Sequence, residues 1–435
     1  MAQKTKHAIL EKFGITELNE MQEAAHRAIN DHSEVILLSP TGTGKTLAFL
    51  LPIIAKLDSS IEDVQVLILV PSRELAIQIE QVTREMGSGF KINAVYGGRT
   101  ASKDKVELKH PPAILIGTPG RVADHLRRKT VSVKHIQTLV LDEFDKSLEV
   151  GFEEEMNEIL DSLPFLRKKI LTSATQNVGI PAFVGLSQPK RLNFLASSSR
   201  QLQIKTIVSK NKDKLEGLVR LLQHLKNKSG IVFCNYKDSI QFVSDHLQDE
   251  NIGHVSFYGG LEQVERERAL IKFRNGTHRV LLATDLAARG IDVPNLDYII
   301  HYQLPSAESE YVHRNGRTAR MKSDGTAYIL KWEKDQLYDY IKGAKEAIIE
   351  PIDEPTKEAW ETLFISGGRK DKISKGDIAG LFFKQGNLKK DELGVIELKQ
   401  DCAFVSVPYS KSAQLIAQLN NSRLKKKKVR ITLVD

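Results

Sequence analysis

Two short stretches carry side chains suited to a phosphorylated ligand. SPTGTGKT, from Ser39 to Thr46, directly follows the apolar run EVILL and opens a helical pattern. The backbone N–H groups of such a glycine-rich loop, here Thr41, Gly42, Thr43 and Gly44, can cradle phosphates together with the helix N-terminus. Lys45 would reach the terminal phosphates, and the Thr46 hydroxyl would ligate Mg²⁺. Ser39 stands where the motif usually starts with glycine. The second stretch, LVLDEFDKS from Leu139 to Ser147, ends an apolar strand in a cluster of acids. Asp142 could hold Mg²⁺ opposite the loop threonine. Glu143 could orient or deprotonate an attacking water. A glycine turn capping a helix, followed elsewhere by surface acids, is the plain alternative. Strand, GKT, helix and acid pair together argue against it.

A third stretch is basic. If HRNGRTAR (313–320) is helical, His313, Arg317 and Arg320 fall on one stripe at about 100° per residue, and Arg314 points elsewhere. Two arginines on one face suit a triphosphate, because each is permanently charged and can fork onto phosphate oxygens. A solvated basic helix face is the competing reading of this motif alone.

These residues need elements to position them. EVILLS (34–39), VQVLILVP (64–71), AILIGTP (113–119), TLVLDEFD (138–145) and KILTSAT (169–175) read as strands separated by helical patterns. Near-continuous apolar strands alternating with helices predict a parallel sheet covered on both faces. The polar run ASSSRQ (196–201) reads as a linker. A second cycle follows, with GIVFCN, HVSFYG, RVLLATD, YIIHYQLP and GTAYILKW as strands. ISGGRKDK (365–372) reads as a second linker, and the segments from KISKGDIAGLF to VRITLVD suggest a small β-α-β-β-α-β sandwich. The expected organisation is α/β: a first parallel-sheet domain over 1–197, a second over 198–365, and a small α+β domain over 371–435.

Bulk properties agree with a chain of two or three domains. It has 435 residues, 41% of them hydrophobic. The start, MAQKTKHAILEKFG, lacks an apolar core, so a signal peptide is not expected. LAFLLPIIAKL is too short and too interrupted for a membrane span. The two cysteines, Cys234 and Cys402, lie far apart, which argues against a disulfide framework and for a reducing cytoplasm. The net charge of +8 is unevenly spread. Residues 366–435 hold 15 Lys and Arg against 7 Asp and Glu, which leaves 48 of each sign in residues 1–365. A basic tail on a neutral body suggests an appended polyanion-binding module, or a solubilising tail.

SPTGTGKT, PSRELA (71–76), GG (97–98), TPGR (118–121), DEFD (142–145) and SAT (173–175) occur in the order seen in DEAD-box RNA helicases. IVFCN, QVER (263–266), ATDLAARGID (283–292) and HRNGRTAR continue the match over about the first 340 residues. The resemblance implies two RecA-like domains closing on ATP and one RNA strand. It implies arginine fingers at Arg317 and Arg320, worth about 10³-fold or more in rate. His313 resembles the partner of Asp145, with Ser173 and Thr175 in the same coupling network. Asp285 resembles the acid that contacts the ribose, and Gln22 the glutamine that reads adenine. Asn19 and Glu20 depart from the usual threonine and proline there. Pro71, Arg73, Gly98, Thr118 and Arg121 in one domain, and Gln263, Arg266 and Thr284 in the other, stand where the family touches RNA, mostly along its backbone. Phe144 replaces the usual alanine, and the expectation is a repacked structural position, filled against Phe152 or a nearby helix. Asn315, Ala319 and Gln303 are further departures.

The tail resembles the rRNA-binding domain of the DbpA-type bacterial helicases. Phe404 stands where a base-stacking aromatic belongs, and Cys402 replaces the second one. Arg423 and the run Lys425 to Lys428, with Lys425 and Lys426 foremost, are the expected RNA contacts. The resemblance implies an ATP-dependent RNA helicase that separates short duplexes locally, acting as a monomer on ribosomal RNA or pre-ribosomal particles. An ATP-gated RNA clamp and a DNA helicase on the same core are the rival readings.

Overall fold

The computed structural model describes residues 6–98, 101–149, 151–175, 179–195, 202–226, 228–285, 293, 296–318, 325–349 and 359–434. The chain divides into an N-terminal and a C-terminal unit that change over near residue 200. The boundary expected at 197/198 falls outside the described residues.

In the N-terminal unit the strands are β1 (Glu34–Leu38), β2 (Val66–Leu69), β3 (Ile92–Val95), β4 (Ile114–Gly117), β5 (Thr138–Leu141), β6 (Lys168–Ser173) and β7 (Lys190–Asn193). Among the described residues they form one parallel sheet in the order β3-β4-β2-β5-β6-β1-β7. Side chains alternate across a strand, and the central strands β2 and β4 are buried on both faces, so they are apolar throughout. Val66 and Ile68 of β2 enter one core, while Leu67 and Leu69 enter the other. Because β5, β6 and β1 are adjacent and parallel, the segments leaving their C-terminal ends emerge side by side. This edge is where open parallel sheets hold ligands.

The C-terminal unit repeats the plan with β8 (Leu202–Ser209), β9 (Gly230–Phe233), β10 (His254–Phe257), β11 (Val280–Ala283), β12 (Tyr298–His301), β13 (Gly325–Trp332) and β14 (Lys345–Glu346). They run parallel in the order β10-β11-β9-β12-β13-β8-β14 among the described residues. One core of this sheet joins Val232, Leu282 and Ile300 to Leu218, Leu222, Ile240 and Val243 of the covering helices.

The same unit contains a smaller domain. Its strands are β15 (Trp360–Ile365), β16 (Ile396–Leu398), β17 (Ala403–Pro408), the hairpin β18 (Arg423–Leu424) and β19 (Lys427–Lys428), and β20 (Ile431–Leu433). The antiparallel sheet runs β16-β17-β15-β20. With helices Lys375–Lys384 and Tyr409–Leu419 the order is β-α-β-β-α-β, as expected. Its start is not as expected. WETLFI (360–365) is the first strand and its Leu363 and Ile365 sit in the small domain's core, so this domain includes Trp360 and does not begin at 371. ISGGRKDK is correspondingly not a linker: Ile365 ends the strand and Arg369–Asp371 is a short helical turn. The sequence disguises this because the strand carries Trp360, Thr362 and Phe364 on its other face.

Candidate nucleotide and nucleic-acid sites

The phosphate loop leaves β1 and is held in shape by its own side chains. Gly42 and Gly44 have φ of 74° and 87°, a region open to glycine and strained for other residues. Ser39 is tied into the loop: its hydroxyl pairs with Thr43 Oγ1 at 2.8 Å, and Thr43 Oγ1 donates to the Pro40 carbonyl at 2.9 Å. Thr41 is buried and Thr46 half-buried at the start of helix Lys45–Ala55. Lys45 Nζ donates to the Ser39 and Pro40 carbonyls at 2.5 and 3.0 Å, so the ammonium is folded over the cradle that would receive phosphate.

Gln22 and Asn19 reach the same loop. They form a reciprocal cap on helix Glu20–Asp31, with Gln22 N donating to Asn19 Oδ1 at 2.9 Å and Asn19 N to Gln22 Oε1 at 3.1 Å. Asn19 Nδ2 then donates to the Thr43 carbonyl at 3.1 Å, and Gln22 Nε2 to the Gly44 carbonyl at 3.3 Å. A Cβ on Gly44 would collide with Gln22 Nε2. Here the Gln22 amide serves the cap and the loop. Asn19 is thus a working departure, since it takes the capping role and adds a tether to the loop.

The acid cluster sits in the turn after β5. Asp142 and Glu143 are both buried, and Glu143 has φ 48°, a left-handed conformation of the kind that clusters at functional sites. Burial, then the neighbouring Glu143 carboxylate, push Asp142 up to about 6, against the Thr172 hydroxyl and the Lys45 charge. Thr172, one residue before SAT, donates to Asp142 and accepts from the Glu143 backbone N–H at 3.2 Å. It was not among the expected site residues, although its place at the end of the strand next to β5 was a usable signal. Ser39 N donates to the Ser173 carbonyl at 3.0 Å, which joins the phosphate loop to the SAT segment.

Asp145, Ser173 and Thr175 come together as expected. Thr175 Oγ1 donates to Asp145 Oδ2 at 2.9 Å, and the Ser173 hydroxyl accepts from Thr175 N at 2.9 Å. Phe144 is 2% exposed and lies in the apolar cluster against which Phe152 packs.

The expected RNA contacts of this unit group as follows. The Arg73 guanidinium lies over the Gly97–Gly98 turn, where a Cβ on Gly98 would come within 2.6 Å of it. Pro71 follows β2, and Thr118 caps the N-terminus of helix Pro119–Arg127 without using its hydroxyl for the cap. Arg121 is not free. Asp104, fully buried, takes its Nε at 2.9 Å and Nη2 at 2.7 Å and also meets His125 Nε2 at 3.2 Å, while Asp124 takes Nη1 at 3.3 Å. Arg121 therefore lies within an acidic clamp.

In the C-terminal unit, HRNGRTAR is helical only in part. Helix Glu308–Asn315 ends at Gly316, so Arg317 lies buried in a turn and Arg320 lies outside the described residues. The expected helical stripe does not run from His313 to Arg317, because the helix ends at Asn315 and glycine favours leaving the helix. Arg314, set aside on that stripe, is the organising residue. It is 1% exposed, donates Nε to Asp285 Oδ1 at 2.7 Å and forks with Nη2 onto Oδ2. It also donates to the Gln303 carbonyl at 2.6 Å and Asn235 Oδ1 at 2.8 Å, and stacks over Phe233 at 5.0 Å. One guanidinium thus ties together the ends of β11, β9 and β12. The departures Gln303 and Asn315 are satisfied here: Gln303 Oε1 accepts from Asn235 N at 2.8 Å, and Asn315 Oδ1 meets His301 Nε2 at 3.1 Å. Burial, then Arg314, lower His301 to about 3, so it stays neutral. Thr284 leaves β11 beside Asp285, Gln263 opens helix Gln263–Arg274, and Arg266 lies over the Phe257 ring at 4.9 Å.

In the small domain Arg423 and Lys426 are exposed on the basic hairpin. Lys425 pairs with Asp377 at 2.9 Å and Lys427 with Asp371 at 2.8 Å. Phe404 is 7% exposed, in a cluster with Ile271 and Val434, so the expected base-stacking ring is covered in this structure.

Comparison with known proteins places this geometry. Family models match for DEAD/DEAH box helicase over residues 19–181, the helicase conserved C-terminal domain over 213–322, and the DbpA RNA binding domain over 362–433. The chain is 33% identical over 439 residues to the ATP-dependent RNA helicase DbpA of Escherichia coli K12, covering 98% of this chain and 96% of that one. It is 30% identical over 458 residues to DbpA of Bacillus subtilis 168, covering 97% and 96%. Among solved structures it is similar to S. cerevisiae Dbp5 bound to RNA and ADP BeF3, with TM-score 0.68, 26% identity, and 76% and 88% of the two chains covered. DEAD-box helicase Mss116 bound to ssRNA and UDP-BeF gives TM-score 0.69 and 26% identity, covering 80% and 78%. With two parallel-sheet domains, an ATP cradle beside a buried acid pair, and a DbpA RNA-binding domain, the chain belongs to the DEAD/DEAH box ATP-dependent RNA helicases.

Proposed function

We propose that this helicase uses Mg²⁺ and ATP to separate short RNA duplexes in ribosomal RNA or pre-ribosomal particles, as a cytoplasmic monomer whose small domain selects the target. The observation that carries the target is the charge distribution. The whole +8 excess lies in residues 366–435, the segment that resembles an rRNA-binding domain, while the ATPase body is neutral. Backbone-directed grip is then uniform for any RNA, and preference resides in the tail.

The acid pair fits a divalent cation. Burial and mutual repulsion resist ionisation of Asp142, and a divalent ion supplies the positive charge that favours it. Asp142 and Thr46 would hold that ion, which when bound would neutralise phosphate charge. Lys45 binds the terminal phosphates. Glu143, fixed through its N–H by Thr172, orients the attacking water. Arg317 and Arg320 stabilise charge that develops on the γ-phosphate.

The test is ATP hydrolysis by the full chain at one salt concentration, with no nucleic acid, single-stranded DNA, unrelated RNA and ribosomal RNA fragments. Stimulation by RNA only, with an advantage for ribosomal RNA that Arg423→Glu/Lys426→Glu removes, is the expected result. Equal stimulation by all RNAs in both proteins would eliminate the ribosomal target.

A further inference from the structure

The small sheet has two faces with different jobs. Leu363, Ile365, Val405 and Val407 enter its own core. The alternate residues, Thr362, Phe364, Phe404 and Ser406, point the other way, the face on which RNA-recognition sheets stack bases. That face lies on helix Gln263–Arg274 of the preceding domain and on the turn that follows it. Phe404, Val434 and Ile271 form a buried apolar cluster, with Phe364 and Cys402 packed against it. Arg274 forks onto Glu397 at 2.7 and 2.8 Å. The Ser406 hydroxyl donates to the Asn275 carbonyl at 2.7 Å, and the Thr362 and Thr277 hydroxyls pair at 2.7 Å. Thr362 and Ser406 are buried and find these partners only across the contact. Gly276, with φ 80°, ends the helix where a Cβ would lie 3.7 Å from the Trp360 ring. An apolar centre rimmed by a charge fork and matched hydroxyls has the anatomy of a specific interface.

The helix clamped at its C-terminal end begins with Gln263 and Arg266. We infer that this sheet face is a docking surface for helix Gln263–Arg274 instead of a base-stacking platform, and that Arg274 and Glu397 are positioning residues for the RNA-contacting end of that helix. The inference rests on Gln263 and Arg266 touching RNA, but not on ribosomal RNA being the target. It accounts for Cys402 standing where a stacking aromatic was expected: a small apolar side chain packs into the interface.

The two cysteines provide a direct readout. Cys234 is 0% exposed, and Cys402 lies in the docked face. An aromatic disulfide reagent should label Cys402 slowly in the full chain. Arg274→Glu should speed that labelling about tenfold, and Arg274→Glu/Glu397→Arg should slow it again. With poly(U) as the activator, the singly reversed protein should need about fivefold more RNA for half-maximal ATP hydrolysis at unchanged kcat, with recovery in the double reversal. Glu397→Gln, which preserves shape, should show the same changes more weakly and covers the case in which Arg274→Glu fails to fold. Fast labelling of Cys402 in the unmodified chain, or protection of Cys402 by added RNA, would overturn the docking assignment. Faster labelling without any change in RNA half-saturation would overturn the positioning role. Loss of preference for ribosomal RNA alters neither readout, so failure of the target reading is distinguishable.

Discussion

The Thr172 hydroxyl donates to Asp142 while accepting the backbone N–H of Glu143 at 3.2 Å, so one buried side chain bonds both residues of the acid pair. Thr172→Val keeps the shape and removes both bonds. An unpartnered buried group costs about 1–3 kcal/mol. The expected outcome is a lower unfolding midpoint and a fall in kcat with little change in the ATP KM. Thr172→Ser should restore most of both, and unaltered kcat in the valine protein would reject the role.

Asp142 sets a pH signature. Burial raises its carboxyl from the ordinary 3.8 to about 6, so the folded protein binds the proton more tightly than the unfolded chain. Stability contributed by the protonated form is full below about pH 4 and is lost as pH rises through about 6, on the order of 3 kcal/mol in all. Asp142→Asn should therefore stabilise the ligand-free protein at pH 7.5 and make no difference at pH 4, while abolishing ATP hydrolysis. Denaturant titrations at the two pH values decide the matter; a pH-independent difference would contradict the assigned burial.

Phe144 is buried in the apolar cluster against which Phe152 packs. Phe144→Ala removes a buried ring and should cost about 3–5 kcal/mol. ATP hydrolysis per folded molecule should be nearly unchanged at a temperature where the variant remains folded. A sharply altered rate at intact fold would show that the residue acts on the chemistry.

Arg314 joins three strand ends, and Asp285 depends on it for orientation. Arg314→Met leaves the carboxylate without its fork, at a cost of about 3 kcal/mol or more for one side of a buried pair. The ATP KM should rise several-fold. Arg314→Lys should recover only part of this, since one ammonium cannot replace a planar fork to Asp285, Asn235 and the Gln303 carbonyl. Equal KM values for the lysine protein and the unmodified one would argue against the geometric role.

Asn19 links a helix cap to the phosphate loop. Asn19→Ala should lower stability by about 1 kcal/mol through loss of the cap. It should also raise the ATP KM, because the Thr43 carbonyl loses its tether. Asn19→Thr, which can cap but cannot reach as an amide does, separates the two effects: recovered stability with a raised KM is the expected pattern.

Much of this protein was legible in its residue order, for local physical reasons. Near-continuous apolar strands between helices read as buried parallel strands, with the phosphate loop and the acid pair at strand ends. The glycine-rich motif between strand and helix marked the phosphate loop, and the charge excess marked the tail. What the order could not reveal depends on residues distant in sequence becoming neighbours. Arg314 looked like a spare cation until Asp285, Asn235 and Gln303 met around it. Arg121 looked available until the buried Asp104 closed on it. The strand at Trp360–Ile365 was hidden because half of its residues face another domain, and that same contact covers Phe404. Local periodicity reports whether a side chain is buried, but the identity of its cover, and hence whether an aromatic ring waits for a base or fills an interface, is decided only when the chain has packed.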